Sequence, residues 1–204
     1  MFFAGQPDTV RLPPTMRASS GRPVGGVLKR GIDVVSAFVS LILLAPLFVI
    51  VSLLVLATLG RPIFCRHPHI GFGGRVIGCY RFRTRRGSGA NGQLTSLGAL
   101  LTLSGIDKLP QLVNVLMGDL SCVGPRPMIM DHQGCHGIEI SPYLRARPGI
   151  AGDWHQGSPV MSSDEAAALD SAYVRNWSMR SDILILFKAI PVLMRTENAN
   201  QKSL

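Results

Sequence analysis

Apolar and polar positions along the chain fall into three regimes. Residues 1–26 show no period; Gly, Pro, Ser and Arg recur without an apolar stripe, and the segment reads as a flexible basic tail. From Val34 to Leu59 run 26 residues without a charge, VVSAFVSLILLAPLFVIVSLLVLATL, apolar on every face. A stretch of that length and uniformity belongs in lipid. Pro46, near its midpoint, removes a helical hydrogen bond and clashes with the carbonyl of Ile42, so two half-helices meeting at an angle are predicted. Lys29 and Arg30 precede the run, and Arg61 and Arg66 follow it. Basic residues prefer the cytosolic side, so a re-entrant hairpin over 27–60 with both ends in the cytosol satisfies the charges better than a span. A kinked transmembrane helix is the alternative.

Beyond residue 60 the pattern shortens. Apolar and polar residues alternate around Ile63–Phe64 and Arg75–Phe82, with Gly71, Gly73 and Gly74 between, which predicts a β-hairpin or two short strands. Leu94 to Leu103 reads as a helix. Apolar residues at 109, 112, 113, 116 and 117 make a 3.6-residue stripe, with Pro110 in its first turn and Asp107 just ahead of it. GDLSCVGPRP, Gly118 to Pro127, predicts a rigid extended loop around Arg126. Two helices follow, Asp164–Trp177 and one from Ser178 to about residue 195, whose mixed faces suit a membrane interface. The expected fold is α+β and mainly helical, divided into a tail (1–26), a membrane hairpin (27–60) and a domain at the cytosolic face (61–198).

Composition narrows the function classes. The 204 residues are enough for one domain and a tail. Hydrophobic residues make up 47% and charged residues 16%, with a mean hydropathy of +0.27, which excludes a disordered chain. The net charge is +9 and 17 of the 21 basic residues are Arg, so the partners expected carry phosphate. Cys65, Cys79, Cys122 and Cys135 form no CxxC pair and are expected to be reduced. GFGGRVIG lacks the third glycine of a dinucleotide fingerprint, and neither Cys65, His67 and His69 nor His132, Cys135 and His136 complete a zinc spacing. No helix-turn-helix, zinc-finger or RNA-binding signature is present, so nucleic acid is not an expected partner.

No Asp or Glu occurs between Val34 and Ile106, whereas Arg61, Arg66, Arg75, Arg81, Arg83, Arg85 and Arg86 accumulate within 26 residues. Most of these read as lying beneath lipid headgroups, each adding about 1 kcal/mol of attraction to an anionic surface. Asp107 ends the acid-free stretch, and Arg126 follows in its Pro-Arg-Pro loop. Arginine forks neutralise phosphate oxygens, and a carboxylate can hold Mg²⁺ or attack phosphorus. That combination points to chemistry on a phosphate ester at a membrane face.

The motifs also carry a resemblance. Lys29-Arg30-Gly31-Ile32-Asp33, the Pro46-centred run, Arg81-Phe82-Arg83-Thr84, Ile106-Asp107-Lys108-Leu109-Pro110-Gln111-Leu112, Gly118 to Pro127, Arg147-Pro148-Gly149-Ile150 and Tyr173-Val174 with Asn176-Trp177-Ser178 stand in that order. Over about residues 24–195 the chain resembles the bacterial sugar transferases, small monotopic phosphoglycosyl transferases, and within them the exopolysaccharide-initiating, succinoglycan-type members. The resemblance implies transfer of sugar 1-phosphate from a UDP-sugar to undecaprenyl phosphate, releasing UMP through a covalent phosphosugar-aspartate, at the cytosolic face of the bacterial inner membrane. It implies Asp107 as nucleophile and Mg²⁺ ligand, with Arg81, Arg83, Arg126 and Arg147 as phosphate-binding residues. Expected partners are the UDP-sugar, undecaprenyl phosphate and anionic membrane lipids, with a homodimer as candidate assembly. The family pairs its aspartate with a following glutamate; here that position is Lys108, counted with Asp107 among the catalytic candidates. Lys108 also supports a second reading, a catalytically degenerate relative that binds membrane or a partner transferase and regulates polysaccharide synthesis.

Overall fold

The computed structural model describes residues 21–87, 92–129, 143–152 and 163–194. Most of the predicted basic tail and the His132, Cys135 and His136 set lie outside them. The first two elements are helices α1 (Gly26–Leu43) and α2 (Ala45–Leu59), bent by 64° relative to one another. Among the described residues no single helix is long and apolar enough to cross a membrane; α1 and α2 pass that test only as a bent pair. The break falls at Leu44, two residues ahead of the expected point, because Pro46 occupies the first turn of α2, where its missing N–H costs nothing.

Strands β1 (Phe64–Ile70) and β2 (Val76–Phe82) pair antiparallel from Phe64 opposite Phe82 to Ile70 opposite Val76. They form the predicted hairpin, with its first strand longer than the alternation around Ile63–Phe64 indicated. Next come β3 (Arg85–Arg86), β4 (Gln93–Leu94) and α3 (Ser96–Leu103), capped by Thr95, whose Oγ1 accepts from the Gly98 amide at 3.0 Å. The helix expected from Leu94 therefore starts two residues later. A 3₁₀ turn at Ile106–Lys108 leads into α4 (Gln111–Met117).

The Gly118–Pro127 segment is only partly a loop. Ser121–Val123 is a strand, β5, and β6 (Met128–Ile129) adds to β1, giving the sheet order β2-β1-β6. A 3₁₀ turn at Tyr143–Arg145 precedes β7 (Gly149–Ala151), which pairs parallel with β5. Helices α5 (Ser163–Arg175) and α6 (Met179–Met194) are the last elements among the described residues. The architecture is α+β, with short sheets among helices.

Two apolar clusters hold these elements. In one, α2 seats Phe48 against Phe64 and Phe82 of the hairpin, with ring centroids 5.0–5.7 Å apart and Val51, Val55 and Leu101 buried around them. Such aromatic pairs add about 0.5–1.5 kcal/mol each beyond area burial. The other cluster gathers Ala37 of α1, Val115 of α4, Val123 of β5, Val174 of α5 and Ile185 of α6. The outer faces of α1 and α2 remain apolar and exposed; Val35, Phe38, Ile42, Val49, Ile50 and Leu53 are all more than half accessible.

The start of α1 departs from the sequence expectation. Lys29 and Arg30, expected as basic flanks of the apolar run, turn into the domain. Lys29 is buried, ion-paired with Asp182 of α6 and donating to the Tyr173 hydroxyl at 3.2 Å, while Tyr173 and Trp177 donate to Asp182 at 2.7 and 3.0 Å. Arg30 donates to the Val115 and Leu116 carbonyls at 2.6 and 3.0 Å, the C-terminal end of α4, where cations are favoured. Asp33 is 3% exposed and accepts from Ser121 Oγ at 2.7 Å and the Cys122 amide at 3.0 Å. The first two turns of α1 are thus a polar plug into the domain, one face charged and the other apolar.

Candidate active site

Asp107 sits in the 3₁₀ turn Ile106–Lys108. Gly105, with φ 70°, reverses the chain after α3 and lets that turn fold back toward the β-hairpin; an L side chain there would be strained. The outcome is a carboxylate 3% exposed, brought against the end of β2. Arg81 of β2 reaches it, with Nη1 3.6 Å from Asp107 Oδ2. The Arg81 side chain is 32% accessible and its Nε is buried without a hydrogen-bond partner among the described residues. The guanidinium therefore keeps donor capacity beside the carboxylate.

Strand geometry decides what surrounds Arg81. Side chains alternate, so Cys65, His67 and His69 of β1 share a face with their cross-strand partners Arg81, Cys79 and Ile77. Cys65 lies directly across from Arg81, with its sulfur 3.5 Å from His67 Nε2 and donating to the Arg81 carbonyl at 3.6 Å. Burial pushes the Cys65 thiol up, opposed by the Arg81 charge and reinforced by Asp107. His67 is held below its usual pKa by burial and then by Arg81, which keeps the ring neutral near pH 7. Cys65 and His67 entered the sequence reading only as an incomplete zinc set. The alternation on β1 was the signal that puts them on the Arg81 face.

The other arginines go elsewhere. Arg83 spends its guanidinium on backbone carbonyls, Nε to Arg85 at 3.0 Å, Nη1 to Arg61 at 3.1 Å and Nη2 to Gly87 at 3.5 Å, tying the loop after β2 to the end of α2. Arg86 donates to the Thr58 carbonyl at 3.1 Å and Arg85 to the Gly92 carbonyl at 3.0 Å. Arg147 donates from Nε to the Gly118 carbonyl at 3.0 Å, past the far end of α4 from Asp107; a seven-residue helix is about 10 Å long. Burial, then the neighbouring Arg30, lowers the Arg147 pKa. Arg126 is exposed, and its backbone amide donates to Asp170 Oδ1 at 3.1 Å, which fixes the loop on α5. Lys108 is half-buried on the same turn as Asp107.

Asn114 escaped the sequence reading because it interrupts no apolar position of the α4 stripe. It is fully buried, accepts from the Tyr80 amide at 2.9 Å and donates to the Gly78 carbonyl at 2.8 Å. These bonds satisfy the outer edge of β2, the strand that carries Arg81, and so fix α4 to it.

A Mg²⁺ site is assembled from hard oxygen donors. The described residues contain no group of three or more His, Cys, Asp or Glu arranged to hold a metal ion, and Asp107 has the Arg81 guanidinium beside it. The described residues therefore supply no preformed cage for Mg²⁺.

The chain thus presents a bent apolar helix pair, small sheets and a buried aspartate facing an arginine. Residues 24–196 match the family described as bacterial sugar transferase, and the chain belongs to that family. It is 35% identical over 198 residues to the exopolysaccharide production protein ExoY of Rhizobium meliloti, covering 84% of this chain and 88% of that protein. It is 32% identical to the undecaprenyl-phosphate galactose phosphotransferase of Salmonella typhimurium, covering 84% of this chain and 41% of that protein. It is 31% identical to the UDP-glucose:undecaprenyl-phosphate glucose-1-phosphate transferase of Caulobacter vibrioides, covering 84% and 71%. The family makes the chain a sugar transferase by kinship, and these relatives are named for exopolysaccharide production or for transfer to undecaprenyl phosphate.

Proposed function

We propose that the protein transfers sugar 1-phosphate from a UDP-sugar to undecaprenyl phosphate at the cytosolic face of the bacterial inner membrane, initiating an exopolysaccharide. The observation that carries this reading is the buried Asp107 facing Arg81 at 3.6 Å, in a chain with the relatives above. A carboxylate oxygen of Asp107 attacks the β-phosphorus of the UDP-sugar, and the bond from that phosphorus to the bridging oxygen breaks, so UMP leaves with the oxygen. An oxygen of the lipid phosphate then attacks the same phosphorus, releasing the carboxylate and forming a lipid-linked diphosphosugar. Arg81 neutralises the diphosphate as it approaches a like-charged nucleophile. Arg126, on its loop anchored to Asp170, is the second phosphate contact. The exposed apolar faces of α1 and α2 enter one leaflet as a re-entrant hairpin, with anionic lipids around the arginine-rich edge.

A second reading, a degenerate relative that regulates polysaccharide synthesis, is favoured by Lys108 alone. The test is release of UMP by the purified full chain supplied with polyprenyl phosphate, Mg²⁺ and a panel of UDP-sugars. Release with one sugar, matched by lipid-linked product, supports transfer; silence with every sugar supports the regulatory reading.

A further inference from the structure

We propose that fixed side-chain charge, Arg81 foremost, does at Asp107 what a protein-bound divalent cation does in other diphosphate sites, so that this protein binds its nucleotide diphosphate without Mg²⁺. The inference rests on the sugar-phosphate transfer proposed above and concerns how that site is charged. Three observations carry it. First, no cage is preformed: Asp107 is a buried carboxylate, and among the described residues there is no group of three or more His, Cys, Asp or Glu that could hold an ion before the nucleotide arrives. Second, the position beside it is already cationic. An ion bound at about 2.1 Å to Asp107 Oδ2 stands no further than about 5.7 Å from Arg81 Nη1, since that nitrogen lies 3.6 Å from the same oxygen. Lys108, the next residue, adds a further positive charge on the same turn.

Third, the guanidinium has capacity in reserve. Arg81 Nε is buried without a hydrogen-bond partner among the described residues, and Nη1 stands beyond hydrogen-bond range of the carboxylate. A buried donor left unmade is costly, and an arriving phosphate oxygen satisfies it in the geometry that arginine forks favour. Arg83, in contrast, has all three nitrogens occupied by backbone carbonyls. Arg81 therefore differs from the neighbouring arginine in both position and free valence. The fixed charge is also permanent, whereas a Mg²⁺ ion must be recruited and partly dehydrated.

The experiment is equilibrium binding of UDP to the full-length protein in detergent or lipid nanodiscs, measured in excess EDTA and again with Mg²⁺. The expected affinity differs by less than about threefold between the two media. Arg81→Met weakens binding in EDTA by about tenfold or more, and Arg81→Lys retains part of it. Lys108→Glu, which adds a carboxylate, makes UDP binding Mg²⁺-stimulated by about tenfold. Binding by the wild type only when Mg²⁺ is present overturns the proposal and leaves the transferase reading intact. No UDP binding in either medium overturns both. The wild-type comparison decides the matter even if a variant fails to fold, and an Arg81→Met protein with wild-type melting and undiminished binding in EDTA removes Arg81 from the role.

Discussion

Asp107 and Arg81 make the sharpest claims because each has a geometry and a chemistry of its own. Asp107→Asn keeps the shape of the turn and removes the nucleophile, so turnover is expected to fall by several orders of magnitude while the melting temperature changes little. Substantial UMP release from that variant contradicts the assigned role. The histidines carry a pH prediction. His69 is 3% exposed, with its Nδ1 2.9 Å from the His67 carbonyl, and burial lowers its pKa from 6.5. The folded state then binds fewer protons than the unfolded one, so stability is full above 6.5 and is lost as pH falls through the depressed folded value. A urea series at descending pH is expected to show that loss, reduced in His69→Gln. At the other extreme, burial raises Cys79 from 9.0 to about 11 and Cys122 from 9.0 to about 12, so stability declines as pH rises from 9.0 into that range.

At the scale of elements, the polar plug at the start of α1 decides how the bent pair of α1 and α2 is held. Lys29, Tyr173, Trp177 and Asp182 join α1, α5 and α6 in one buried cluster. Lys29→Met leaves Asp182 without its cation and is expected to cost about 3–5 kcal/mol, whereas Lys29→Met combined with Asp182→Leu costs much less than the two singles added. Chemical denaturation of the four proteins of that cycle measures the coupling; strict additivity removes the ion pair as a determinant. Asp33→Ala strands the buried Cys122 amide and leaves the Ser121 hydroxyl only the Val123 carbonyl, at about 1–3 kcal/mol. In the sequence Lys29 and Asp33 were legible as ends of one motif of the resemblance, and Lys29 as a charge beside an apolar run. A sequence window shows that Lys29 and Asp33 are one helical turn apart; it does not show that their partners lie 153 and 88 residues away. The bend between α1 and α2 was legible because proline acts locally, and the β-hairpin because alternation does. The parallel pairing of β5 with β7 was not, since Ser121–Val123 is too short for a period and meets its partner only through the fold.

For the whole molecule, topology and chemistry depend on one another. A re-entrant hairpin leaves residue 20 and the C-terminus on the same side, so a membrane-impermeant thiol reagent applied from the periplasm is expected to label a cysteine placed at neither end. Labelling at one end only establishes a span. Asp107, the proposed nucleophile, was legible because it closes a long acid-free stretch and stands in a motif of the resemblance, and Arg81 as one of seven arginines in that stretch. Separating Arg81 from Arg83 needed the structure, which spends one on backbone carbonyls and turns the other to Asp107. The most direct measurement of the central claim is to trap the covalent step: incubate the full chain with a UDP-sugar labelled on its β-phosphorus, without lipid acceptor, and locate the label. Label is expected on the protein at Asp107, absent in Asp107→Asn, and chased to lipid by polyprenyl phosphate. Transfer to lipid with no label on protein, and persisting in Asp107→Asn, contradicts the claim.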